Sequence, residues 1–236
     1  MIDLGSLGGV FGLPNYLNNR GEVAGTSDLA GDLNFHGFLW DGRSLLDLRT
    51  LGGNNSEAFW VSNSGLVVGR ADFSLESAAH HAFLWKNGAM TDLGTLGLCR
   101  NSTALSVNSK GEVVGDTGNC PNGDGGPSFF SEHGKPMVDI NTLLIPGSEI
   151  EVIDAFDIND RGEIVGGGVL PNGDEHAVLL IPASAAEIAA ASAMLVSKST
   201  TTPTQARPAP SGISATWRTR MAQRYHIPSL GASPRD

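Results

Sequence analysis

Short segments of alternating side chains, separated by glycine-containing turns, run through the first 180 or so residues. In HAFLW (81–85), His81, Phe83 and Trp85 fall on one face and the intervening residues on the other, a period of two that is typical of a β-strand. The dipeptide NG at 87–88 follows, which is the strongest short hairpin signal. No extended helical period precedes residue 183, so the pattern predicts an all-β fold.

The same pattern recurs along the chain. Related copies of this segment are HGFLWDGRSLLDLRTLGG (36–53), PSFFSEHGKPMVDINTL (127–143) and HAVLLIP (176–182), and the preceding hairpins are LNNRGEVAG (17–25), VSNSGLVVG (61–69), VNSKGEVVG (107–115) and INDRGEIVG (158–166). Their turn glycines are 44, 46 and 51 residues apart. A unit of this length fits a four-stranded propeller blade and does not fit the shorter helical repeats.

We therefore predict a propeller-like array of about four four-stranded antiparallel blades over residues 1–182. The repeats lie near 10–53, 54–97, 98–143 and 144–182, and 1–9 form an orphan strand. A single blade cannot bury its own apolar faces, so the repeats must stack on one another.

The phrases HAFLWKNGAMTDLGTLG (81–97) and VNSKGEVVG (107–115) resemble the HAF-repeat family of bacterial extracellular repeat proteins. The resemblance covers roughly residues 1–182. It implies a secreted or surface-associated, propeller-like protein without an established enzymatic role or agreed catalytic residues. Members of this family usually carry more repeats and a signal peptide, whereas this sequence starts inside a repeat. We expect an extracellular or cell-surface location, with the signal peptide absent from this chain through N-terminal truncation.

The two ends of the array predict two alternatives. MIDLGSLGG (1–9) matches the end of a repeat, with Asp3 in the position of Asp47, and the last repeat lacks this segment after residue 182. Residues 2–5 could pair with 176–181 and close a four-bladed ring, which would remove two sheet edges. The preferred alternative is an open arc cut from a larger propeller.

Histidine and aspartate recur in register with the repeat. His36, His81 and His176 share one position, and Asp3, Asp47, Asp92 and Asp139 share another. A two-residue turn at 87–88 would place Phe83 opposite Asp92 and His81 diagonally next to it. Because the pair recurs, we interpret it as a strand-tying contact. A metal-binding ring of histidines is the alternative, weakened by Pro127 in the third position, and we predict no metal and no catalytic residue.

The two cysteines, Cys99 and Cys120, are equidistant from the turn at Ser109–Lys110. Residues equidistant from the turn of an antiparallel hairpin face each other, which predicts a disulfide rather than two free thiols. Such a bond fits an oxidising compartment.

The variable loops of the repeats should share one rim. Variation on one rim of a rigid scaffold usually marks a binding surface, and these loops are rich in Asp, Asn, Ser and Gly, which suit hydroxyl-rich ligands or calcium. The loop DTGNCPNGDGG (116–126) lacks the EF-hand spacing, so ordinary turn chemistry is preferred there and no cofactor is expected. The candidate rim residues are Asp28, Asp32, Asn54, Asn55, Asp72, Arg100, Asn101, Asn122, Asp124, Asn172 and Asp174.

Charge divides the chain in two. The formal net charge is −10, which argues against a nucleic-acid partner. Residues 183–236 are net basic, and we predict an Ala-rich helix at 183–197, a Pro/Thr-rich linker at 198–214 and a mostly disordered basic tail at 215–236. The tail could form a short helix and contact an acidic surface. No transmembrane segment is predicted.

These features predict a non-enzymatic extracellular repeat module that binds a protein or glycan partner through its variable rim. The sequence shows no nucleophile elbow, HExxH motif or phosphate loop. One alternative is a propeller-type hydrolase or lyase acting on glycans. The other is a truncated remnant of a longer repeat protein without independent activity.

Overall fold

The structure is a computed structural model that describes residues 1–76, 79–121 and 123–198. Within them the chain is almost entirely β, as the alternation predicts. The strands are β1 (Gly8–Leu17), β2 (Val23–Leu29), β3 (Phe35–Trp40), β4 (Leu45–Asp47), β5 (Ser56–Val61), β6 (Val67–Asp72), β7 (His80–Lys86), β8 (Ala89–Asp92), β9 (Asn101–Val107), β10 (Glu112–Cys120), β11 (Gly123–Glu132), β12 (Val138–Asp139), β13 (Glu151–Ile158), β14 (Ile164–Val169) and β15 (Glu175–Leu180).

The strands form four antiparallel sheets, one for each sequence repeat. Sheets 1 to 3 have the orders β1-β2-β3-β4, β5-β6-β7-β8 and β9-β10-β11-β12, and sheet 4 has three strands, β13-β14-β15. Within each sheet, strands that follow one another along the chain are antiparallel neighbours, the arrangement that short connections permit. A short 3₁₀ helix (Ile140–Leu143) follows β12.

The hairpin between β7 and β8 has the geometry that its sequence predicts. Asn87 and Gly88 both have positive φ, at 51° and 88°, as a two-residue turn of this type requires. The resulting register places Phe83 opposite Asp92. The local turn chemistry therefore sets which side chains share each face of sheet 2.

The apolar core lies between the sheets. Val67 packs in a cluster with residues of sheet 1 such as Leu39, whereas its neighbour Val68 packs in a second cluster with residues of sheet 3 such as Phe129. A third cluster joins sheets 3 and 4. Successive residues of a strand point to opposite faces, so the paired valines of sheets 2 and 3 pack each of these sheets against both of its neighbours.

A bulge in the first strand of every sheet faces a glycine in the second. Phe59 is the extra residue opposite Gly69 in sheet 2, and the other sheets have the same shift at the equivalent positions. A Cβ on this glycine would lie well inside 3.0 Å of the Glu57 carbonyl oxygen, a separation that real Cβ atoms essentially never show. The glycines that share this close approach are Gly25, Gly69, Gly115 and Gly166.

The first hairpin turn of each repeat contacts the same turn of the next repeat. Asn18 accepts the backbone N–H groups of residues 20 and 22 and donates from Nδ2 to the Ser62 carbonyl, at 2.9 Å. Asn108 donates in the same way to the Asn159 carbonyl, at 2.9 Å. In the second repeat Ser64 instead donates through Oγ to the Ser109 carbonyl. These contacts align consecutive sheets at the end that carries the turns 18–22, 62–66, 108–112 and 159–163, which we call the turn end.

Of the two alternatives for the ends of the array, the closed four-bladed ring is absent among the described residues. Among the described residues β15 pairs with β14 alone, and residues 1–6 form no strand. Leu7 instead makes a parallel bridge to Leu29 of β2 and donates its N–H to Ser27 Oγ. The orphan strand predicted for 1–9 is therefore wrong for residues 1–6: without a partner strand, their backbone groups have no ladder to join.

The chain leaves sheet 4 in a helix, α1 (Ala185–Lys198). It overlaps the Ala-rich helix predicted at 183–197. Ser184 caps it, because its hydroxyl accepts the Glu187 N–H while its own N–H donates to the Glu187 carboxylate at 2.7 Å, as in a capping box. From residue 199 onward, the predicted linker and basic tail lie outside the described residues.

Candidate functional site

The ends of the sheets opposite the turn end carry the longer loops, and we call this side the rim. Asn55 and Asn101 lie here at equivalent positions, directly before β5 or at the start of β9. Asn55 Oδ1 accepts the N–H of Phe35 at 3.2 Å, and Asn101 Oδ1 accepts the N–H of His80 at 3.3 Å. Both amides therefore join a sheet to the preceding one, a role that the sequence prediction missed.

Other predicted rim residues stabilise a turn or join it to a strand. Asp32 Oδ1 accepts the N–H of Val10 at 2.8 Å. Asn172 Nδ2 donates to Asp174 Oδ2 at 2.7 Å, within an exposed hairpin turn. Asn54 and Arg100 are exposed, and Asp28 is half-buried near the end of β2. Asp124 lies in β11, and Asn122 lies outside the described residues.

The histidine and aspartate positions form the pairs that the register implies. His36 Nδ1 lies 2.8 Å from Asp47 Oδ1, and His81 Nδ1 lies 2.9 Å from Asp92 Oδ2. Each aspartate also accepts a backbone N–H two residues later, from Arg49 or Gly94. The contact thus ties β3 to β4, and β7 to β8, while it caps the turn that follows.

The motif is incomplete at three other places. Asp3 accepts the N–H of Gly5 at 2.9 Å, as the paired aspartates do for their own turns. His176 lies in β15 and is exposed, without a hydrogen-bond partner in the described part of the chain. In the third repeat, Asn141 Nδ2 donates to Asp139 where Pro127 replaces the histidine.

Cys99 and Cys120 form a disulfide at the rim of sheet 3, with their Cα atoms 4.0 Å apart. Cys99 precedes β9 and Cys120 ends β10. The adjacent Arg100 N–H donates to the Asn119 carbonyl at 3.3 Å. The bond therefore fastens the start of one strand to the end of the next.

An open cleft of about 180 Å³ lies at the rim where sheets 1 and 2 meet. Two of its residues, Asn55 and Asp72, are among those predicted from the sequence. Asn55 donates from its backbone N–H and from Nδ2 to Asp72 Oδ2, at 3.1 and 3.0 Å. The lining residues are Phe35, Asn55, Ser56, Glu57, Arg70, Ala71, Asp72 and His80.

A buried ion pair forms one wall of the cleft. Arg70 Nη2 donates to Glu57 Oε1 at 2.8 Å, and both side chains are largely buried. The Arg70 guanidinium also lies 5.8 Å from the centre of the Phe59 ring, within the range of a cation–π contact. In the strand VVGRAD, Arg70 is a charged residue that follows three apolar ones. An arginine at such a position is the sequence signal by which it could have been identified as a residue of the cleft.

His80 is the least satisfied polar group of the cleft. It lies opposite Asp72 in the sheet, and its Nε2 is buried without a hydrogen-bond partner among the described residues. Burial is the largest cause that lowers the pKa of His80 to about 4, and the nearby charges of Arg70 and His81 contribute to the same shift. The imidazole is therefore neutral at pH 7, and Nε2 can donate or accept one hydrogen bond, depending on the tautomer.

The depressed pKa of His80 predicts a loss of stability in mild acid. The unfolded chain binds a proton below about pH 6.5, while the folded chain does so only below about pH 4. Stability is therefore complete above pH 6.5 and falls, by a few kcal/mol at most, as the pH drops to about 4. Urea unfolding of His80→Gln across this range should show a shallower loss than the natural protein. His133→Gln, at an exposed histidine, is the control, and an equal change in both variants would contradict the prediction.

No three His, Cys, Asp or Glu side chains converge as a metal site in the part of the chain that the structure describes. The described residues also include no helix long and apolar enough to cross a membrane. Comparisons of the chain with protein-family models, curated proteins and solved structures found no match.

Proposed function

We propose that this protein is a non-enzymatic, propeller-like binding module that holds a sugar residue of a glycan in the cleft between its first two repeats. The observation that carries the proposal is His80, which lines an open cleft and whose Nε2 is buried without a hydrogen-bond partner among the described residues. A buried polar atom of this kind requires a partner, and a ligand hydroxyl supplies it when the imidazole ring turns toward the cleft.

The remaining wall of the cleft suits the same chemistry. Asp72 offers acceptor oxygens, Arg70 and Asn55 offer N–H donors, and Phe35 adds an apolar surface. Specific sites for small ligands combine a few such convergent polar groups with an apolar wall. The volume of about 180 Å³ limits the occupant to roughly one sugar ring.

The propeller-like arrangement is part of the proposal. The four sheets follow one another in chain order, their first strands β1, β5, β9 and β13 are neighbours, and their cores lie between the sheets. In a propeller blade the first strand is the innermost, which leaves the loops on a rim. The HAF-like repeats and the Cys99–Cys120 disulfide support an extracellular location.

Binding to an array of neutral and acidic oligosaccharides, followed by calorimetric titration of those that bind, tests the proposal. Asp72→Asn should weaken the affinity at least about tenfold, about 1.4 kcal/mol, because it removes the carboxylate charge while leaving an acceptor for Asn55. Asp174→Asn is the matched control, since Asp174 also accepts from a neighbouring asparagine at the rim but lies in another repeat.

Three results would contradict the proposal. They are the absence of binding to every oligosaccharide, an equal loss of affinity in the Asp174→Asn control, and cleavage of the bound oligosaccharide detected by mass spectrometry. The last result would instead support the glycan-acting enzyme as the alternative.

A further inference from the structure

The two outer sheets each expose a face that is buried everywhere else in the array. Leu17 of sheet 1 is 62% exposed, whereas its equivalents Val61, Val107 and Ile158 are at most 3% exposed because each packs against the preceding sheet. At the other end, Val165 of sheet 4 is 45% exposed, whereas its equivalent Val68 is fully buried against the next sheet. Each outer face is thus one half of the same inter-repeat interface.

The polar groups of this interface are also divided between the two outer faces in a complementary way, with the donors on sheet 4 and the acceptors on sheet 1. Between repeats 3 and 4, Asn108 Nδ2 donates to the Asn159 carbonyl, and the Ser109 N–H donates to Asp160 Oδ1 at 2.7 Å. In sheet 4 the corresponding donors are Asn159 Nδ2 and the Asp160 N–H. In sheet 1 the corresponding acceptors are the Asn18 carbonyl and Asn19 Oδ1, since Asn63 Oδ1 accepts the Asn19 N–H at the next interface.

The third division concerns the histidine and aspartate motif. Sheet 4 ends with β15, whose His176 is exposed and, among the described residues, has no fourth strand beside it. Asp3 accepts the N–H of Gly5, as Asp47 and Asp92 accept the N–H two residues later while they pair with a histidine. Residues 1–6 lie outside any strand. A segment of this kind can add to an open sheet edge as a further strand.

We propose that a second copy of this chain occupies these faces head to tail. Sheet 4 of one copy packs on sheet 1 of the other, and residues 1–3 of the second copy, which are equivalent to the end of β8 (Ala89–Asp92), become the fourth strand beside β15 of the first. Asp3 of one copy then pairs with His176 of the other, and Asn159 donates to the Asn18 carbonyl. The contact repeats the three interfaces inside the chain, so it needs no new packing arrangement.

Such a contact is heterologous, because it joins two different surfaces. The copies form a closed ring if the rotation from one copy to the next permits it, and otherwise they form an open filament. Two departures from the internal pattern lie in sheet 1, where Gly12 and Pro14 replace Ser56 and Ala58 of sheet 2. They remove one serine contact from the interface but leave its apolar and turn-end contacts.

Sedimentation equilibrium of the full chain tests this proposal through two charge substitutions at exposed positions. Leu17→Lys blocks the sheet 1 face, and Val165→Lys blocks the sheet 4 face. The natural chain should sediment as two or more copies. Each variant alone should be at least about tenfold weaker in self-association, about 1.4 kcal/mol, whereas an equimolar mixture should form a one-to-one dimer through the two intact faces. Leu33→Lys, at an exposed turn residue away from both faces, should associate like the natural chain.

The mixing step separates a head-to-tail contact from a symmetric one. If sheet 4 faces paired with each other, Leu17→Lys would remain a dimer by itself and the mixture would gain nothing, which would overturn the proposal. A natural chain that stays monomeric at every concentration would also overturn it. That includes a monomer in which the basic tail covers one outer face.

Discussion

Gly69→Ala is expected to lower the free energy of unfolding by at least about 3 kcal/mol, the upper part of the range for inserted volume in a packed core. A Cβ there would meet the Glu57 carbonyl oxygen and the Ala58 Cα, which belong to the backbone of the adjacent strand. Neither atom can rotate away, and relief would require the bulge at Phe59 to move. The strand that would have to shift also packs against sheet 1.

Urea unfolding followed by circular dichroism measures this loss. Gly12→Ala is the matched control, because Gly12 also lies within a strand, β1, but a Cβ added there would make only ordinary contacts, the nearest at 3.6 Å. We expect it to change stability by no more than about 0.5 kcal/mol. Gly69→Ala unfolding at the same urea concentration as the natural protein would disprove this account of the close approach.

Loss of the disulfide is expected to have the second large effect. The double variant Cys99→Ser, Cys120→Ser should be less stable by about 3 kcal/mol, the value that the chain-entropy model assigns to a closed loop of this size. The bond spans 21 residues of sequence and fastens β9 to β10 at the rim. The neighbouring backbone contact from Arg100 to Asn119 should keep the folded hairpin intact without it.

A reductant supplies the control for this double variant. Dithiothreitol should lower the stability of the natural protein to that of the double serine variant, while it should leave the variant itself unchanged. If the natural protein kept its full stability after the thiols were shown to be reduced, the bond would not contribute as predicted.

Local patterns in the sequence predicted the features that depend on one hairpin. The Asn87–Gly88 turn fixes the register of β7 and β8, and that register brings His81 to Asp92. The position of Cys99 and Cys120 about one turn likewise indicated that they face each other. In each case the two partners belong to the same antiparallel pair, so counting residues from the turn is sufficient.

Contacts between repeats could not be derived in this way. Asn55 and Asn101 were predicted as ligand-binding residues because they are polar and lie in variable loops, but each accepts a backbone N–H from the preceding sheet. The relative placement of two sheets depends on how their faces pack, and alternation within a strand does not specify it. For the same reason, the preference for an open array came from the number of repeats usual in the resembled family and not from the local pattern.

The cleft combines both situations. Asp72 and Asn55 were predicted from composition, whereas Arg70 and His80 were missed because they lie within strands rather than in loops. An arginine inside an apolar strand and a histidine at the first position of a strand are signals that loop composition does not contain. Their chemical relation became visible only once the strand register placed His80 opposite Asp72.

The position of the apolar clusters between the sheets has an evolutionary consequence. Each apolar cluster of the described residues contains side chains from two neighbouring repeats, so none of these clusters belongs to a single repeat. Duplication or deletion of one whole unit therefore recreates an interface of the same kind at the new junction, whereas a change within a unit disturbs two interfaces at once. Selection on such a gene should accept changes in copy number more readily than insertions inside a strand.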